Sequence, residues 1–231
     1  MRNVVLHYHL FKNAGTSLDQ ILQKNFGDRL VKAEFLSSLK GNTEQVEAWI
    51  ADTPEALAYT SHTMMGPLPR VQGVRIIPVM FLRDPIARIR SAFQFERNQD
   101  AETWGVELAK KHDLEGYVRA RLGRDGDRQC RNFQTSRLAS LTPSDAPELE
   151  RAIASARAIQ KAGVLGRVED FAKALEDLTK LLKPEFPDFQ AEAVRANVSK
   201  KSKDAAANEA LDALLQEANQ DDLELLSQIW K

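Results

Sequence analysis

The sequence predicts an α/β fold in which helices flank a mainly parallel central sheet, with a helix-rich middle and C-terminal part. Three observations carry this prediction. Residues 4–11 are an apolar run that passes through a short turn into a helical pattern. Residues 74–82 are a second apolar run, followed by Asp84 and Pro85, a pair typical of a helix start. Residues 163–166 are a third apolar segment between two helical patterns. Strands that alternate with helices favour a parallel sheet.

The first strand leads into the turn at residues 12–17, with the sequence Lys-Asn-Ala-Gly-Thr-Ser. Apolar residues then recur at helical spacing up to Phe26. Thr16 or Ser17 is the predicted N-cap, and Gly15 lets the backbone approach a ligand closely. A helix N-terminus with free amides and a lysine just before it is suited to an anion, and a phosphate is the first expectation.

The next elements are shorter. Residues 30–39 are ambiguous, residues 44–50 predict a short helix, and residues 56–60 predict a strand that ends just before Ser61 and His62. Pro78 lies inside the strand at 74–82. A proline in that place predicts a bulge or an edge position.

The rest of the chain is mostly helical. The predicted helices are 103–111, 114–122, 129–138, 148–161, 168–182, 204–218 and 221–230. No internal repeat or low-complexity tract divides the chain. The sequence therefore predicts a single domain over residues 1–231.

Composition narrows the function classes. The net charge of −1 argues against a general nucleic-acid binder. Positive residues exceed acidic ones in residues 75–137, which favours an anionic ligand there, whereas residues 204–231 are acidic. Cys130 is the single cysteine, so neither an intrachain disulfide nor a thiolate metal cluster is expected. No apolar segment approaches the ~20 residues of a membrane span, and the first residues do not resemble a signal peptide. We therefore expect a soluble, cytoplasmic protein.

Ligands of parallel sheets bind at the carboxyl ends of the strands. This rule places residues 12–17, His62 and residues 83–91 along one edge of the sheet. Residues 12–17 differ from a Walker A loop because Lys12 precedes the glycine instead of following it. Taken alone, the segment is more typical of an ordinary strand-to-helix turn with a surface lysine than of an anion site.

A second anion site is predicted at residues 83–91. Arg83 lies at a strand end, and Arg88 and Ser91 are neighbours on the following helix. Guanidinium and hydroxyl donors of this kind can hold a phosphate. In the alternative interpretation Arg88 and Arg90 form a solvated helix face and Asp84 is no more than a cap.

Both segments resemble one family. The sequence His9-Leu-Phe-Lys-Asn-Ala-Gly-Thr-Ser-Leu18 is similar to the His-Ile-Pro-Lys-Thr-Gly-Gly-Thr-Ser-Leu signature of carbohydrate sulfotransferases related to heparan sulfate 2-O-sulfotransferase. The resemblance implies that this loop binds the 5′-phosphosulfate end of 3′-phosphoadenosine 5′-phosphosulfate (PAPS). The implied ligands are Lys12, Asn13, Ala14, Gly15, Thr16 and Ser17. The stretch Arg83-Asp-Pro-x-x-Arg-x-x-Ser-x-Phe93 resembles the family's 3′-phosphate motif, with Arg83 and Ser91 as ligands.

Weaker similarities extend the resemblance. Residues 132–137, Asn-Phe-Gln-Thr-Ser-Arg, resemble the family's Asn-x-Gln-Thr-Arg segment with one residue inserted. Residues 163–169 resemble its Gly-Val/Leu-Thr-Glu-Arg-Phe strand and turn, with Gly166 at the usual glutamate. Residues 197–201 resemble its C-terminal cofactor loop, which implies Ser199, Lys200 and Lys201 as further ligands. Phe11 and the pair Asn13-Ala14 depart from the signature.

His62 is the candidate general base. A lone histidine after a short strand is by itself more typical of a structural or surface residue than of a catalyst. The resemblance implies that His62 accepts the proton of the acceptor hydroxyl and that Lys12 stabilises the leaving oxygen. His9 is expected to belong to the sheet end, and His112 to take no part. No metal is expected.

The sequence therefore predicts a PAPS-dependent sulfotransferase that acts on a hydroxyl of a carbohydrate or similar polar small molecule. Residues 98–137 are expected to line the acceptor side. Two alternatives stay open. One is a small-molecule kinase with a degenerate P-loop, which needs carboxylates for Mg²⁺. The other is a catalytically inactive nucleotide-binding or scaffold protein of the same fold.

Overall fold

The computed structural model describes residues 1–36, 41–192 and 209–230. These residues form a five-stranded, all-parallel sheet with helices on both faces, as the sequence predicts. The strands are β1 (Arg2–Tyr8), β2 (Leu30–Lys32), β3 (Ala58–Ser61), β4 (Val74–Leu82) and β5 (Val164–Arg167). Their order across the sheet is β2-β3-β1-β4-β5.

Ten α-helices lie in the described residues. They are α1 (Gly15–Phe26), α2 (Thr43–Asp52), α3 (Pro85–Arg97), α4 (Trp104–Lys111), α5 (Leu114–Leu122), α6 (Phe133–Ala139), α7 (Glu148–Ala162), α8 (Phe171–Leu182), α9 (Glu209–Ala218) and α10 (Gln220–Ile229). Within the same residues, no helix has the length and apolar character needed to cross a membrane.

The register of the sheet brings the carboxyl ends of three strands together. Tyr8 at the end of β1 is level with Ser61 of β3 on one side and Met80 of β4 on the other. Leu82, the last residue of β4, is level with Arg167, the last residue of β5. We call this edge, with the segments that follow β1, β2, β3 and β4, the carboxyl edge.

Alternation along β1 divides the core into two layers. Val4, Leu6 and Tyr8 are buried in one apolar cluster with residues of α2, α6, α7 and α10. Val5 points to the opposite face and packs with residues of α1 and α8. Because side chains of a strand alternate between faces, a strand buried on both faces reads as a continuous apolar run.

Helix α1 starts differently from the prediction. It begins at Gly15, and its N-cap is Ala14 in the left-handed conformation, with no side-chain cap. Thr16 and Ser17 therefore lie in the first turn instead of capping it. The prediction for α3 is confirmed, because the Asp84 carboxylate accepts a hydrogen bond from the Ala87 amide at 2.7 Å.

β4 is an interior strand, but Pro78 lies before its pairing with β5 begins, so of the two predicted alternatives Pro78 takes a local edge position and not a bulge. It is paired with Leu6 of β1 in regular register. Pairing of β4 with β5 begins one residue later, at Val79 and Val164, so the missing proline N–H interrupts no described pairing with β5. Gly163 permits the close approach there, since a Cβ on it would lie 1.9 Å from the Pro78 carbonyl oxygen.

Candidate active site

The loop between β1 and α1 has an unusual backbone. Lys12 and Ala14 both have positive φ angles, 64° and 60°, in the left-handed region that residues other than glycine rarely adopt. A left-handed residue followed by a helical one turns successive N–H groups toward a common point, which forms an anion-binding nest. In the described part of the chain, the amides of Gly15 and Thr16 have no acceptor. We call residues 12–16 the anion loop.

A buried amide side chain holds the strained loop in place. Asn13 is 1% exposed and donates from Nδ2 to the Phe81 carbonyl and to Gln134 Oε1, both at 2.8 Å. Gln134 also accepts from the Arg83 amide and donates to the Arg83 carbonyl, each at 2.8 Å. The backbone N–H of Gln134 in turn donates to the Asp222 carboxylate of α10 at 3.2 Å. The anion loop and the end of β4 are thus tied together through one glutamine.

The predicted ligands of the loop therefore face different ways. The side chain of Asn13 points into the protein. The backbone N–H of Asn13 donates to the Leu10 carbonyl at 3.2 Å. Thr16 is exposed in the first turn of α1, whereas Ser17 is buried and donates its amide to the Ala14 carbonyl at 3.1 Å. The free donors are backbone amides, which is what a phosphate at a helix N-terminus uses.

Two cations lie at the anion loop, Lys12 within it and Arg83 next to it. Arg83 donates from Nη1 to the Lys12 carbonyl at 3.2 Å. Burial lowers the pKa of Lys12, and the nearby Arg83 lowers it further. Burial also lowers the pKa of Arg83, while Glu169 and Asp84 partly offset that effect. Anionic groups bound at these two side chains would relieve their mutual repulsion.

The arginines of α3 have other roles than the sequence suggested. Arg88 is fully buried, donates to the Gln129 carbonyl and lies with its guanidinium 4.4 Å from the centre of the Phe133 ring. It is therefore neither a solvated residue nor a ligand at the carboxyl edge. Arg90 pairs with Asp212 of α9 at 2.6 Å. Ser91 is half-buried on α3, eight residues after Arg83.

Three other predicted ligands, Ser199, Lys200 and Lys201, lie outside the described residues. The part of the acidic segment that is described forms α9 and α10.

His62 follows β3 at the carboxyl edge, and its side chain is 53% exposed. Its Nδ1 lies 2.6 Å from Glu34 Oε1. The same carboxylate accepts the Thr63 hydroxyl at 2.9 Å. Burial by itself raises the pKa of Glu34, but hydrogen bonds from His62 and Thr63 outweigh it and hold that pKa below its usual value. A carboxylate partner makes Nδ1 the protonated nitrogen, so Nε2 carries the free lone pair.

Helix α6 also holds the segment that carries His62. Arg137 donates from Nη2 to the His62 carbonyl at 2.6 Å and to the Met64 carbonyl at 3.3 Å. Gln134 lies on the same helix and holds the anion loop. One short helix therefore sets the position of the candidate base and of the anion loop together.

His9 lies between these two parts of the edge. Its ring stacks against that of His62, with centroids 3.9 Å apart and an interplanar angle of 32°. On the other side it covers Gly15, where an added Cβ would lie 2.0 Å from the imidazole. The Nδ1 of His9 lies 3.2 Å from Asp19 Oδ2. Glycine is therefore required at position 15 by close approach, not by a positive φ.

Asp19 is the centre of a buried polar network. His7 Nδ1 lies 2.8 Å from Oδ1, and the Thr60 hydroxyl donates to the same oxygen at 2.8 Å. Burial raises the pKa of Asp19, but hydrogen bonds from His7 and His9 outweigh it, so the pKa lies far below its usual value. Burial lowers the pKa of His7, although Asp19 partly opposes this.

His7, His9 and Asp19 are close enough to be considered as metal ligands, since their ligand atoms lie within 4.8 Å of one another. However, the imidazoles already donate to the carboxylate, and the Lys32 ammonium lies 3.4 Å from Asp19 Oδ2. A lysine in that place opposes a second cation. We therefore interpret this network as the support that holds the His9 ring against that of His62.

Sequence reasoning missed Asp19 and Glu34 and gave no role to Gln134 and Arg137. Glu34 lies in the ambiguous segment and reaches His62 only because β2 pairs with β3. Asp19 is one of several polar residues of α1, and nothing in the sequence distinguishes it. The weak similarity over residues 132–137 was the one available signal for the two α6 side chains.

No model of a known protein family matches the chain. An uncharacterized protein of Archaeoglobus fulgidus is 36% identical over an alignment of 236 residues, gaps included. The alignment covers 99% of this chain and 92% of the relative. The chain therefore belongs to the same family as that archaeal protein. The match extends over nearly the whole chain, so the relationship concerns the entire fold and not only the anion loop.

Proposed function

We propose that this member of the family is a sulfotransferase that moves a sulfuryl group from PAPS to a hydroxyl of a carbohydrate or similar polar acceptor. The observation that carries the proposal is the anion loop with its free Gly15 and Thr16 amides, beside Lys12 and Arg83 and on the same edge as the His62–Glu34 pair. The resemblance of residues 9–18 and 83–93 to sulfotransferase motifs supports the same conclusion.

PAPS has two anionic ends, and the carboxyl edge offers two groups of cationic and hydrogen-bond-donating residues. The anion loop and the Lys12 ammonium suit the 5′ end, where the nest and the dipole of α1 favour negative charge. Arg83 and Ser91 suit the 3′-phosphate, because a guanidinium supplies paired donors. Ser199, Lys200 and Lys201 remain proposed ligands from the resemblance.

PAPS supplies the sulfuryl group. In the proposed step a bond forms between the acceptor oxygen and sulfur while the bond from sulfur to the 5′-phosphate oxygen breaks. The acceptor proton passes to His62 Nε2, and Glu34 holds the Nδ1 proton and stabilises the resulting imidazolium. Lys12 and the amides of the anion loop stabilise the negative charge that grows on the leaving oxygen.

The kinase alternative needs carboxylates that are free to hold Mg²⁺ near the phosphates. Two of the acids that follow β4 and β5, Asp84 and Glu169, are already engaged. Asp84 caps α3, and Glu169 accepts the Asp84 amide at 2.9 Å and the Arg167 guanidinium at 3.3 Å. This arrangement favours sulfuryl transfer over phosphoryl transfer from ATP.

Calorimetry with 3′,5′-ADP, the desulfated donor product, compared with ATP and Mg²⁺ tests the proposal. We expect 3′,5′-ADP to bind and Arg83→Ala to weaken that binding. Arg119→Ala is the matched control, since Arg119 forms an exposed ion pair with Glu115 on α5. Tight binding of ATP with Mg²⁺ and none of 3′,5′-ADP would contradict the proposal and favour a kinase.

An acceptor screen with radiolabelled sulfate donor tests the reaction itself. Carbohydrates and small polyhydroxyl compounds are the acceptors we expect to be labelled. Binding of 3′,5′-ADP without transfer to any acceptor would favour the inactive nucleotide-binding alternative. The proposed cytoplasmic location is tested separately by cell fractionation.

A further inference from the structure

Lys12 has an aromatic partner in place of an acidic one. Its Nζ lies over the Phe95 ring, 4.1 Å from the ring centroid. Among the described residues, the Lys12 ammonium has neither an ion pair nor a hydrogen bond. The contact with Phe95 is therefore the interaction that favours the charged form of this half-buried side chain.

The Phe95 ring is itself held in place. Phe11, the residue before Lys12, meets it edge to face, with ring centroids 5.5 Å apart at 75°. Phe95 is 39% exposed, so one part of the ring is packed and another part stays accessible. An edge-to-face pair of this geometry is a favoured aromatic arrangement. The ring therefore packs against Phe11 while its face contacts the ammonium.

The contact places Lys12 on the side of α3 that carries the second group of donors. Phe95 and Ser91 are four residues apart on α3 and lie on the same helix face. Arg83 immediately precedes this helix and its cap, and it contacts the Lys12 carbonyl. The Lys12 side chain therefore extends from the anion loop to the Phe95 ring on α3.

We infer that Phe95 is a positioning residue that keeps the charged Lys12 ammonium beside the anion loop, ready for the oxygen on which charge develops. The inference deepens the proposed function and rests on it for the identity of that oxygen. An acidic partner would have neutralised the lysine, whereas an aromatic face orients the ammonium and leaves its charge available to an anion.

Kinetics of three variants test the inference. Phe95→Leu keeps an apolar side chain but removes the ring face, whereas Phe95→Tyr retains the face. We expect Phe95→Leu to lower kcat by about 3- to 10-fold, as loss of a cation–π contact predicts, and Phe95→Tyr to keep most of the activity. The dissociation constant of 3′,5′-ADP should stay within about twofold in both variants, because the contact acts on the developing charge.

Phe186→Leu is the matched control. Phe186 meets Phe26 edge to face, with ring centroids 5.2 Å apart at 83°, and the adjacent Glu185 contacts Asn3 and Arg75 at the amino ends of β1 and β4, so this aromatic pair is similar but lies away from the carboxyl edge. A purely structural role of these aromatic side chains would lower the melting temperatures of Phe95→Leu and Phe186→Leu without changing kcat. Equal kcat values for Phe95→Leu and the wild type would overturn the inference.

A second measurement needs no turnover. Reductive ¹³C-methylation labels the lysine ammonium groups for NMR, and Lys12→Arg identifies the Lys12 signal. We expect the Phe95 ring current to shift this signal upfield in the wild type and in Phe186→Leu, and the shift to disappear in Phe95→Leu. A Lys12 signal without that shift contradicts the inference, whereas absence of sulfuryl transfer by the wild type contradicts the proposed function.

Discussion

His9 and His62 stack at the carboxyl edge with their ring centroids 3.9 Å apart, and each imidazole has its Nδ1 on a different carboxylate. Asp19 of α1 holds the buried ring, and Glu34, which follows β2, holds the exposed one. Only the exposed histidine offers its Nε2 to a substrate. The stack therefore separates a supporting imidazole, His9, from the candidate base, His62.

The first prediction concerns the base. His62→Ala should lower the rate of sulfuryl transfer by about 10²-fold or more, because the acceptor proton loses its carrier. Binding of 3′,5′-ADP, measured by calorimetry, should be largely retained. His112→Ala, at the C-terminal end of α4, is the control and should have wild-type activity. Full activity of His62→Ala would remove His62 as the base.

The second prediction concerns close approach in the anion loop. Gly15→Ala should reduce the free energy of unfolding by about 1–3 kcal/mol, because its Cβ would overlap the His9 ring. The displaced loop should also bind 3′,5′-ADP more weakly. Gly123→Ala is the matched control, since the nearest atom to its added Cβ is the Arg119 carbonyl oxygen at 3.3 Å. Urea unfolding and calorimetry measure the two effects, and equal stability of both variants would contradict the contact.

The third prediction concerns Gln134. Gln134→Ala leaves Asn13 Nδ2 and the Arg83 backbone without their shared partner, so we expect a loss of about 2–4 kcal/mol in the free energy of unfolding. Donor-product binding should fall as well, since the anion loop and Arg83 lose their link. Gln228→Ala, which removes an exposed hydrogen bond to Glu224, should change neither quantity. Normal binding by Gln134→Ala would show that the link is dispensable.

The fourth prediction concerns acid sensitivity. The pKa of His7 is lowered in the folded protein. Below about pH 6.5 the unfolded chain therefore binds more protons than the folded one, and the free energy of unfolding decreases as the pH is lowered. The pKa of Asp19 is also lowered, so its contribution is present above about pH 4 and is lost as the pH falls further. His7 therefore accounts for the loss that begins as the pH falls below about 6.5, and Asp19 for the loss that begins below about pH 4.

Urea unfolding at pH 7 and pH 5.5 measures the His7 part. His7→Gln should be less stable at pH 7 but should lose less stability than the wild type between the two pH values. His112→Gln, at an exposed helix end, serves as the control and should keep the wild-type slope. An unchanged slope in His7→Gln would contradict the assignment of His7 as the acid-sensitive group.

Local sequence was sufficient for most of the secondary structure. The strand at 74–82 and the Asp84-Pro85 start of α3 were predicted to the residue. A strand buried on both faces is a continuous apolar run, and an aspartate N-cap followed by proline is a clear local signal of a helix start. The start of α1 was missed, since Ala14 has no intrinsic preference for the left-handed conformation that it adopts. That conformation is held by Asn13 through partners at Phe81 and Gln134, which are distant in sequence.

Local patterns were enough to predict the α/β class, the parallel sheet and the approximate place of Lys12, His62 and Arg83 along its edge, because strand ends can be recognised from apolar runs. Which side chains face that edge depends on the tertiary structure. It buried Arg88 under Phe133, directed Asn13 inward and joined Glu34 to His62. These outcomes depend on the order and register of the strands and on the packing of α6 and α10, which are long-range properties that no local pattern contains.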